Sequence, residues 1–290
     1  MEELKKRLIH LHHCRGIGSK GILKIMKIDS ELKNLYQFSI SVLQDITRIS
    51  SENFSKFYYD LHHLDLTKIL TIYSTHNISC MTIFDKEYPF ILKQIYNPPL
   101  VLYTIGNTSL LNYPSIAIVG SRKGNEYAKK SLEQLLPLLV KKRLNVISGL
   151  ARGVDTIAHQ MTIRYGGKTI GVLGSGFFHI YPQENRMLVE NMKKGHLLIS
   201  EYPPSTRPQK WHFPMRNRII SGLSKGILIV QAEERSGSLI TAEYALQEGR
   251  EVFAVPGNMM ESLSKGTNLL IQQGAKLVLT GEDILAEMNI

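Results

Sequence analysis

The chain of 290 residues has little cysteine: Cys14 and Cys80 are its only two. Two cysteines are too few for a disulfide framework and are typical of a protein from a reducing compartment. No stretch approaches the roughly 20 consecutive apolar residues that a membrane-spanning helix needs. The first residues, MEELKKRLIHLHHC, also lack the continuous apolar core of a signal peptide. We therefore expect a cytoplasmic protein with no membrane partner.

Acidic residues are the minority, 25 against 35 Lys and Arg, for a formal net charge of +10. Residues 107–290 hold 22 of the cations and 15 of the carboxylates, so the excess is concentrated there. Such a charge favours a polyanionic partner, because cations that bind phosphates release condensed counterions. Composition alone leaves open nucleic acid, an acidic membrane surface, or no polyanion at all. We expect the function to reside in this second part.

Residues 1–80 have the apolar spacing of short helices, in LKKRLIHLHH, GSKGILKIMKI, SISVLQDIT, NFSKFYYDLHHL and LTKILTIYSTH. We predict a small all-helical domain there. Within it, CRGIGSKGIL has the glycine pattern of a helix-hairpin-helix turn, whose second helix could face a phosphate. An ordinary helix-helix turn is the alternative. His10, His12, His13 and Cys14 are metal-capable types, but the absence of a second cluster favours a solvated helix face.

Residues 81–290 predict an α/β domain. Short β-branched runs alternate with helical segments, the runs being SIAIVGSR, LNVISG, KTIGVLG, HLLISEY, GILIVQA, REVFAVPG and KLVLTG. Such a pattern is typical of a doubly wound, mostly parallel, Rossmann-like sheet with helices on both faces. The Pro-rich segment YPFILKQIYNPPLVLYTIGN before it is expected to be extended. Ligands of this fold meet the carboxyl ends of the strands.

Motifs for nucleotide chemistry fail on spacing. YGGKTIGV imitates the end of a P-loop, but Thr162 stands where the first Gly is needed and the Lys-Thr opens a strand. Neither IVGSRKG nor VLGSGFF fits the dinucleotide fingerprint. Asp155 and His159 share a helix face and could be an acid-base pair or two metal ligands, although a helix-stabilising or loop-tethering role is favoured. We expect no catalytic residues, no metal and no cofactor.

The strand-end loops are rich in Gly, Ser and Arg: GSRKG at 120–124, SGLARG at 148–153, GSGF at 174–177 and EERSGS at 233–238. Gathered at one edge of a sheet, their N–H groups and guanidinium groups would suit phosphate. Glycine in any one of them could instead serve only the turn. Together, in the basic part of the chain, the loops favour a phosphate-bearing ligand.

The loop PPSTRPQKWHFP, followed by MRNRIISGL, adds cations and flat rings to this edge. Lys210, Arg216 and Arg218 could contact phosphates, while Trp211, His212 and Phe213 offer faces on which unpaired bases stack. The alternative is that Trp211 or Phe213 fills the core beneath the loop and the arginines cap carbonyls.

The motifs AIVGSRKG, YPQENR, FPMRNRIISGLS and RSGSLITA resemble those of the DprA/Smf family, DNA-processing protein A of bacterial natural transformation. The resemblance runs from about residue 80 to the end, and the helices before it are similar, more loosely, to a sterile-alpha-motif-like domain. It implies that the GSR arginine, Arg122, and the K-x-x-F pair, Lys210 and Phe213, contact DNA. The predicted DNA-binding residues are Gly120, Ser121, Arg122, Lys123, Ser148, Gly149, Arg152, Gly174, Ser175, Gly176, Lys210, Phe213, Arg216, Asn217 and Arg218.

The resemblance also implies a function: a non-enzymatic protein that binds incoming single-stranded DNA, protects it from nucleases and loads the RecA recombinase. It implies a homodimer through the Rossmann-like domain. Because the chain stops at EDILAEMNI, no winged-helix domain is expected. Two alternatives remain. One is a nucleoside-monophosphate phosphoribohydrolase, for which Thr241 and Glu243 are present but Arg235 and Ser236 replace a Pro-Gly; the other is a non-catalytic nucleotide sensor.

Overall fold

A computed structural model describes residues 2–289. By contacts between residues, the chain divides into one unit of residues 2–88 and 99–103 and a second of residues 89–98 and 104–289. The sequence-based domain boundary at residue 80 stays a prediction. No helix among the described residues is long and apolar enough to cross a membrane.

The first unit is helical, as its apolar periodicity predicts. Its elements are α1 (Glu2–His13), α2 (Ser19–Ile28), α3 (Ile40–Thr47), α4 (Ser51–His63), α5 (Leu66–Thr75) and the strand β1 (Ser79–Thr82). The five helices coincide with the five segments whose apolar residues recur every three or four positions. Residues at that spacing fall on one helix face, which here forms the core through side chains such as Leu8, Leu11, Ile22, Leu43 and Phe57.

The turn between α1 and α2 packs against α4. Gly16 has φ +78°, and a Cβ there would lie 2.0 Å from the Asn53 carbonyl oxygen, so only glycine fits. The Arg15 guanidinium forms a 2.7 Å ion pair with the buried Asp60. Glycine in this turn therefore serves close packing, and contact with DNA by the hairpin stays a prediction.

The prediction of a solvated histidine face on α1 is wrong. His10 is buried and His12 and His13 are partly buried, and each ring hydrogen-bonds a tyrosine hydroxyl. The pairs are His10–Tyr36 at 2.7 Å, His12–Tyr103 at 3.0 Å and His13–Tyr73 at 2.6 Å. Burial lowers the pKa of all three imidazoles. These histidines are polar members of the core, a role that their spacing did not distinguish from an exposed face.

The second unit contains the predicted α/β pattern. Its strands are β2 (Val101–Gly106, whose first three residues belong to the first unit), β3 (Ser115–Val119), β4 (Asn145–Ser148), β5 (Thr169–Leu173), β6 (Leu197–Ser200), β7 (Gly226–Ile229), β8 (Glu251–Ala254) and β9 (Lys276–Leu277). Its helices are α6 (Phe90–Lys93), α7 (Glu126–Lys141), α8 (Val154–Arg164), α9 (Arg186–Met192), α10 (His212–Gly222), α11 (Gly237–Gln247), α12 (Ser262–Gln272) and α13 (Gly281–Met288), with short 3-10 turns at Thr108–Asn112 and Gln183–Asn185.

Strands β3 to β9 pair in the order β6-β5-β4-β3-β7-β8-β9, and every neighbouring pair is parallel. Each of the seven predicted apolar runs contains one of them. The predicted α/β fold with a mostly parallel sheet is therefore confirmed. The segment at 88–107, predicted to be extended, instead contains the short helix α6 as well as β2.

The strand order reverses at β3. From β3 the chain adds β4, β5 and β6 on one side, then returns to add β7 on the other, where Val119 pairs with Ile229. At such a switch point the loops after the two central strands diverge to opposite faces and leave a crevice. The core beneath it is apolar, with Ile116, Ile118, Leu132 and Val146 fully buried.

Candidate nucleic-acid interface

The loop after β3 forms one wall of this crevice, and close backbone packing positions it. The Ser121 N–H donates to the Gln231 carbonyl at 2.7 Å, which joins the loop to the end of β7. The Ser121 carbonyl accepts from the Val154 N–H at 3.1 Å. Gly153 has φ +74°, and a Cβ there would lie 2.3 Å from the same carbonyl oxygen. The exposed Arg122 and Lys123 therefore extend from a tightly packed loop.

The loop after β4 is tethered by α8. The Asp155 carboxylate accepts from the Ala151 N–H at 3.3 Å, and the His159 ring lies 2.6 Å from the Gly149 carbonyl oxygen. Both side chains are buried. The favoured interpretation of this i, i+4 pair, that it tethers a loop, is confirmed by these contacts.

Helix α10 supplies the opposite wall. Phe213, Arg216, Asn217 and Ile220 are spaced i, i+3, i+4 and i+7, so they share one helix face, and all four line the crevice. Phe213 packs against Gly174, where a Cβ would come within 2.9 Å of the ring. Phe213 and Pro214 lie inside α10, whereas the sequence placed them in the preceding loop.

Two adjoining cavities result. The larger, of about 410 Å3, lies between the loops after β3 and β7. Its lining includes Gly120, Ser121, Arg122, Lys123, Ala151, Asp155, Phe213, Arg216, Asn217, Glu233, Arg235, Ser236, Gly237, Ser238, Ile240 and Thr241. The smaller, of about 70 Å3, adds Arg152, Gly174, Tyr181 and Pro182. Arg122, Ala151, Phe213 and Arg216 line both cavities. The larger one falls within the range of about 300–1,000 Å3 typical of ligand sites.

The lining of the larger cavity is cationic. Arg122, Lys123, Arg216 and Arg235 face two carboxylates, Asp155 and Glu233. Lys123 Nζ lies 3.1 Å from Glu233 Oε1, an exposed ion pair that a phosphate can replace at little cost because such pairs contribute about 0–1 kcal/mol. The excess of positive charge suits an anionic ligand.

Arg216 and Asp155 form the floor of the larger cavity. Arg216 is buried and its Nη1 donates to the Val172 carbonyl at 2.6 Å. Burial raises the pKa of Asp155 to about 6, although the charge of Arg216 opposes this shift. Burial lowers the pKa of Arg216, against the attraction of Asp155. A guanidinium remains protonated even so, and this one is held rigidly at the floor.

Helix α11 begins at the mouth of the larger cavity. Its N-cap is Ser236, whose hydroxyl accepts from the Ser238 N–H. The first turn of a helix leaves backbone N–H groups unpaired and carries partial positive charge. Arg235 extends from the residue before the cap and is exposed. The positive end of α11 and a guanidinium thus lie in the loop after β7, opposite Arg122 in the loop after β3.

Comparison with known proteins identifies the family. Residues 79–289 match the family described as DNA recombination-mediator protein A. The chain belongs to this family.

Individual relatives agree. The chain is 45% identical over 269 residues to DNA processing protein DprA of Bacillus subtilis, which covers 92% of this chain and 89% of the relative. It is similar to an X-ray structure of DNA processing protein A from Streptococcus pneumoniae, with TM-score 0.84, 38% identity and 97% of each chain covered. It is also similar to DNA processing protein A from Helicobacter pylori, described for its unique single-stranded DNA binding mode, with TM-score 0.66, 30% identity, and coverage of 73% and 95%.

In this member of the DNA recombination-mediator protein A family, the structure brings most of the predicted DNA-binding residues together. Those that line one or both cavities are Gly120, Ser121, Arg122, Lys123, Arg152, Gly174, Phe213, Arg216 and Asn217. They come from four segments of the chain. Their contact with DNA stays a prediction.

The remaining predicted residues lie elsewhere. Ser148 is buried and donates to the Ile118 carbonyl; Gly149 packs under the Arg216 guanidinium. Ser175 and Gly176 are buried within the loop after β5. Lys210 is exposed in the turn before α10 and lines neither cavity. Ser148 and Gly149 therefore support the neighbouring strand and Arg216 and do not line the cavities.

Arg218 is also separated from the cavities. Residues i and i+2 on a helix are about 200° apart, so Arg218 lies on the face of α10 opposite Arg216. Its side chain is 6% exposed and pairs with Glu201 at 2.6 Å. Trp211, at the N-terminus of α10, is 62% exposed and meets the Tyr202 and His212 rings edge-on.

Site residues that are missing from the list of predicted DNA-binding residues are Asp155, Tyr181, and Arg235 with Ser236–Ser238. The EERSGS loop was expected to suit phosphate, because it is rich in Ser and Arg after a strand, but none of its residues was on that list. For Tyr181, the only signal in the sequence was its position in the motif YPQENR. Its ring centroid lies 5.6 Å from that of Phe213, a contact between segments 32 residues apart that local pattern does not encode.

Proposed function

We propose that this protein binds single-stranded DNA in the two cavities beside α10. In natural transformation it would protect incoming single strands in the cytoplasm and load the RecA recombinase onto them. The observation that supports this most is that guanidinium groups and aromatic rings line the same cavities: Arg122, Arg216 and Arg235 lie around the partly buried Phe213 and the exposed Tyr181.

Each half of this arrangement suits one half of a nucleotide. Guanidinium groups and the positive end of the α11 dipole suit phosphate oxygens. A ring suits any unpaired base, because stacking contributes roughly 1–3 kcal/mol per base and depends little on sequence. No helix is offered for insertion into a duplex groove at this site. We therefore expect binding of single strands with little sequence preference.

We propose binding without catalysis. In the phosphoribohydrolase alternative, Thr241 and Glu243 would both serve the reaction. Thr241 lines the larger cavity, but Glu243 is exposed and is not one of its lining residues. The recombinase partner and a homodimer through the second unit are further parts of the proposal. Family membership supports them, and the family's description as a recombination mediator names the same process.

The decisive experiment is a fluorescence anisotropy titration of labelled oligo-dT, oligo-dA and duplex DNA at several salt concentrations. We expect tight binding of both single strands and weak binding of the duplex. Arg122→Ala should weaken single-strand binding and reduce the slope of log K against log salt by about 0.7, the value for one lost phosphate contact. Lys141→Ala removes the same charge from the exposed far end of α7 and is the matched control.

Two results would overturn the proposal. One is salt-insensitive or undetectable binding of oligo-dT. The other is saturable binding of a single mononucleotide in calorimetry with no gain for longer oligonucleotides, which would support the nucleotide sensor. Release of free base from a mononucleotide would support the enzyme.

A further inference from the structure

A third depression adjoins the smaller cavity. It measures about 720 Å3, and we call it the α9 groove. Its lining includes Phe178, Tyr181, Arg186, Glu190, Lys193 and Arg207. Tyr181 also lines the smaller cavity. The groove and the smaller cavity therefore meet at one exposed ring.

One wall of the groove is a charged helix face. Arg186, Glu190 and Lys193 are spaced i, i+4 and i+7 at α9, so they point to the same side. Lys193 pairs with Glu190 at 2.8 Å. Arg207 faces them from the loop after β6. Both arginines are exposed, and among the described residues neither is in an ion pair, so two guanidinium groups are available across the groove.

The floor is aromatic. Phe178 and Tyr181 are 41% and 55% exposed, although large apolar rings are ordinarily buried. These two rings lie among cationic side chains, as Phe213 does beside Arg122 and Arg216. This combination of a positively charged track and stacking faces is the pattern of surfaces that bind single-stranded nucleic acid without reading its sequence.

The floor is also held in place. The Gly176 N–H donates to the Thr206 carbonyl at 2.9 Å, and the Phe178 N–H donates to the Pro204 carbonyl at 2.9 Å. A Cβ at Gly176 would lie 2.1 Å from the Pro203 carbonyl oxygen. The loop carrying the rings is thus packed directly on the segment that leads to Arg207. A preformed surface of this kind loses little conformational freedom on binding.

We propose that a DNA single strand held in the cavities continues over Tyr181 into the α9 groove. Phosphates there contact Arg186 and Arg207, and a base stacks on Phe178. The proposal rests on the proposed function, since it assigns a second part of the same binding path. It predicts in addition that affinity increases when the strand is longer than the cavities can hold.

The test compares a short oligo-dT of about six nucleotides with one of about twenty-five, which is longer than the single-strand site sizes of about 4–16 nucleotides known for other folds. The variant is Arg186→Ala with Arg207→Ala. The control is Lys141→Ala with Lys142→Ala, which removes the same charge from exposed positions at the far end of α7. Far-UV circular dichroism and thermal unfolding verify that both variants are folded.

We expect the groove variant to bind the short oligonucleotide within about twofold of wild type and the long one roughly tenfold more weakly. Its salt slope for the long strand should fall by about 1.4, two contacts at 0.7 each. The control should change neither affinity by more than about twofold.

If the groove variant leaves the long-strand affinity and salt slope unchanged while Arg122→Ala still weakens binding, the α9 groove is not part of the path and the proposed function stands. If the groove variant weakens both lengths equally, the groove is not a length-dependent extension and this inference is wrong. If no oligonucleotide binds to the wild type, the proposed function fails and this inference fails with it.

Discussion

Replacing Glu201 with glutamine should destabilise the second unit by about 3–5 kcal/mol, the range measured when one member of a buried ion pair is removed. Arg218 Nη2 lies 2.6 Å from Glu201 Oε1, and the two side chains are only 6% and 9% exposed. The Nε and Nη1 atoms of Arg218 have no other partner among the described residues. A neutral amide in place of the carboxylate would leave the guanidinium buried without a counter-charge.

The double variant Glu201→Leu with Arg218→Met should recover most of this loss, because it leaves no buried charge and similar volumes. Arg218→Met alone should cost less than Glu201→Gln. Burial already raises the pKa of Glu201, so a carboxyl without its partner can become neutral by protonation. Equilibrium urea unfolding, followed by far-UV circular dichroism, measures these differences.

Glu243→Gln is the control, since that carboxylate is exposed on α11 and should change the free energy of unfolding by less than about 0.5 kcal/mol. The double variant should also bind oligo-dT like wild type, because Arg218 lies on the face of α10 away from the cavities. A stable Arg218→Met protein with weaker oligo-dT binding and a smaller salt slope would refute this reasoning and make Arg218 a phosphate contact.

Two other predictions concern side chains of the site. His159 is buried between the Gly149 carbonyl and the Thr169 hydroxyl, and burial lowers its pKa to about 4. The neutral ring stabilises the fold fully above about pH 6.5, and roughly 3 kcal/mol of the free energy of unfolding is lost as pH falls toward 4. Urea unfolding across this window should show a smaller loss of stability for His159→Gln than for wild type. An equal loss in both proteins would contradict this assignment. Phe213→Leu should weaken oligo-dT binding by roughly 1–3 kcal/mol with an unchanged salt slope, because it removes a stacking face and no charge; unchanged affinity in the anisotropy titration would exclude stacking on this ring.

The comparison of sequence with structure is most instructive at α10. The run RNR predicts two phosphate-binding arginines, yet Arg216 lines the cavities and Arg218 is buried beside Glu201. Helical spacing alone separates the two by about 200° and shows that both cannot face one ligand. Which of them faces it depends on where β6 places Glu201, a contact across 17 positions.

The helix α1 shows the converse. Its three histidines have the spacing of an amphipathic helix, and polar side chains are usually exposed. In the interior, each of them forms a hydrogen bond with the hydroxyl of a tyrosine that is distant in sequence. A buried polar group needs a partner, and the sequence does not reveal which partner the fold provides.

Local pattern determined much of this protein. Continuous β-branched runs and three-to-four-residue periodicity encode how each element is buried, and so they predicted the helices of the first unit, the strands of the parallel sheet and the basic loops at their carboxyl ends. Strand order is different, because pairing joins segments that are distant in sequence. Only the tertiary structure placed β3 beside β7, and so set Arg122 opposite Arg235, and only it closed the α9 groove between Arg186 and Arg207.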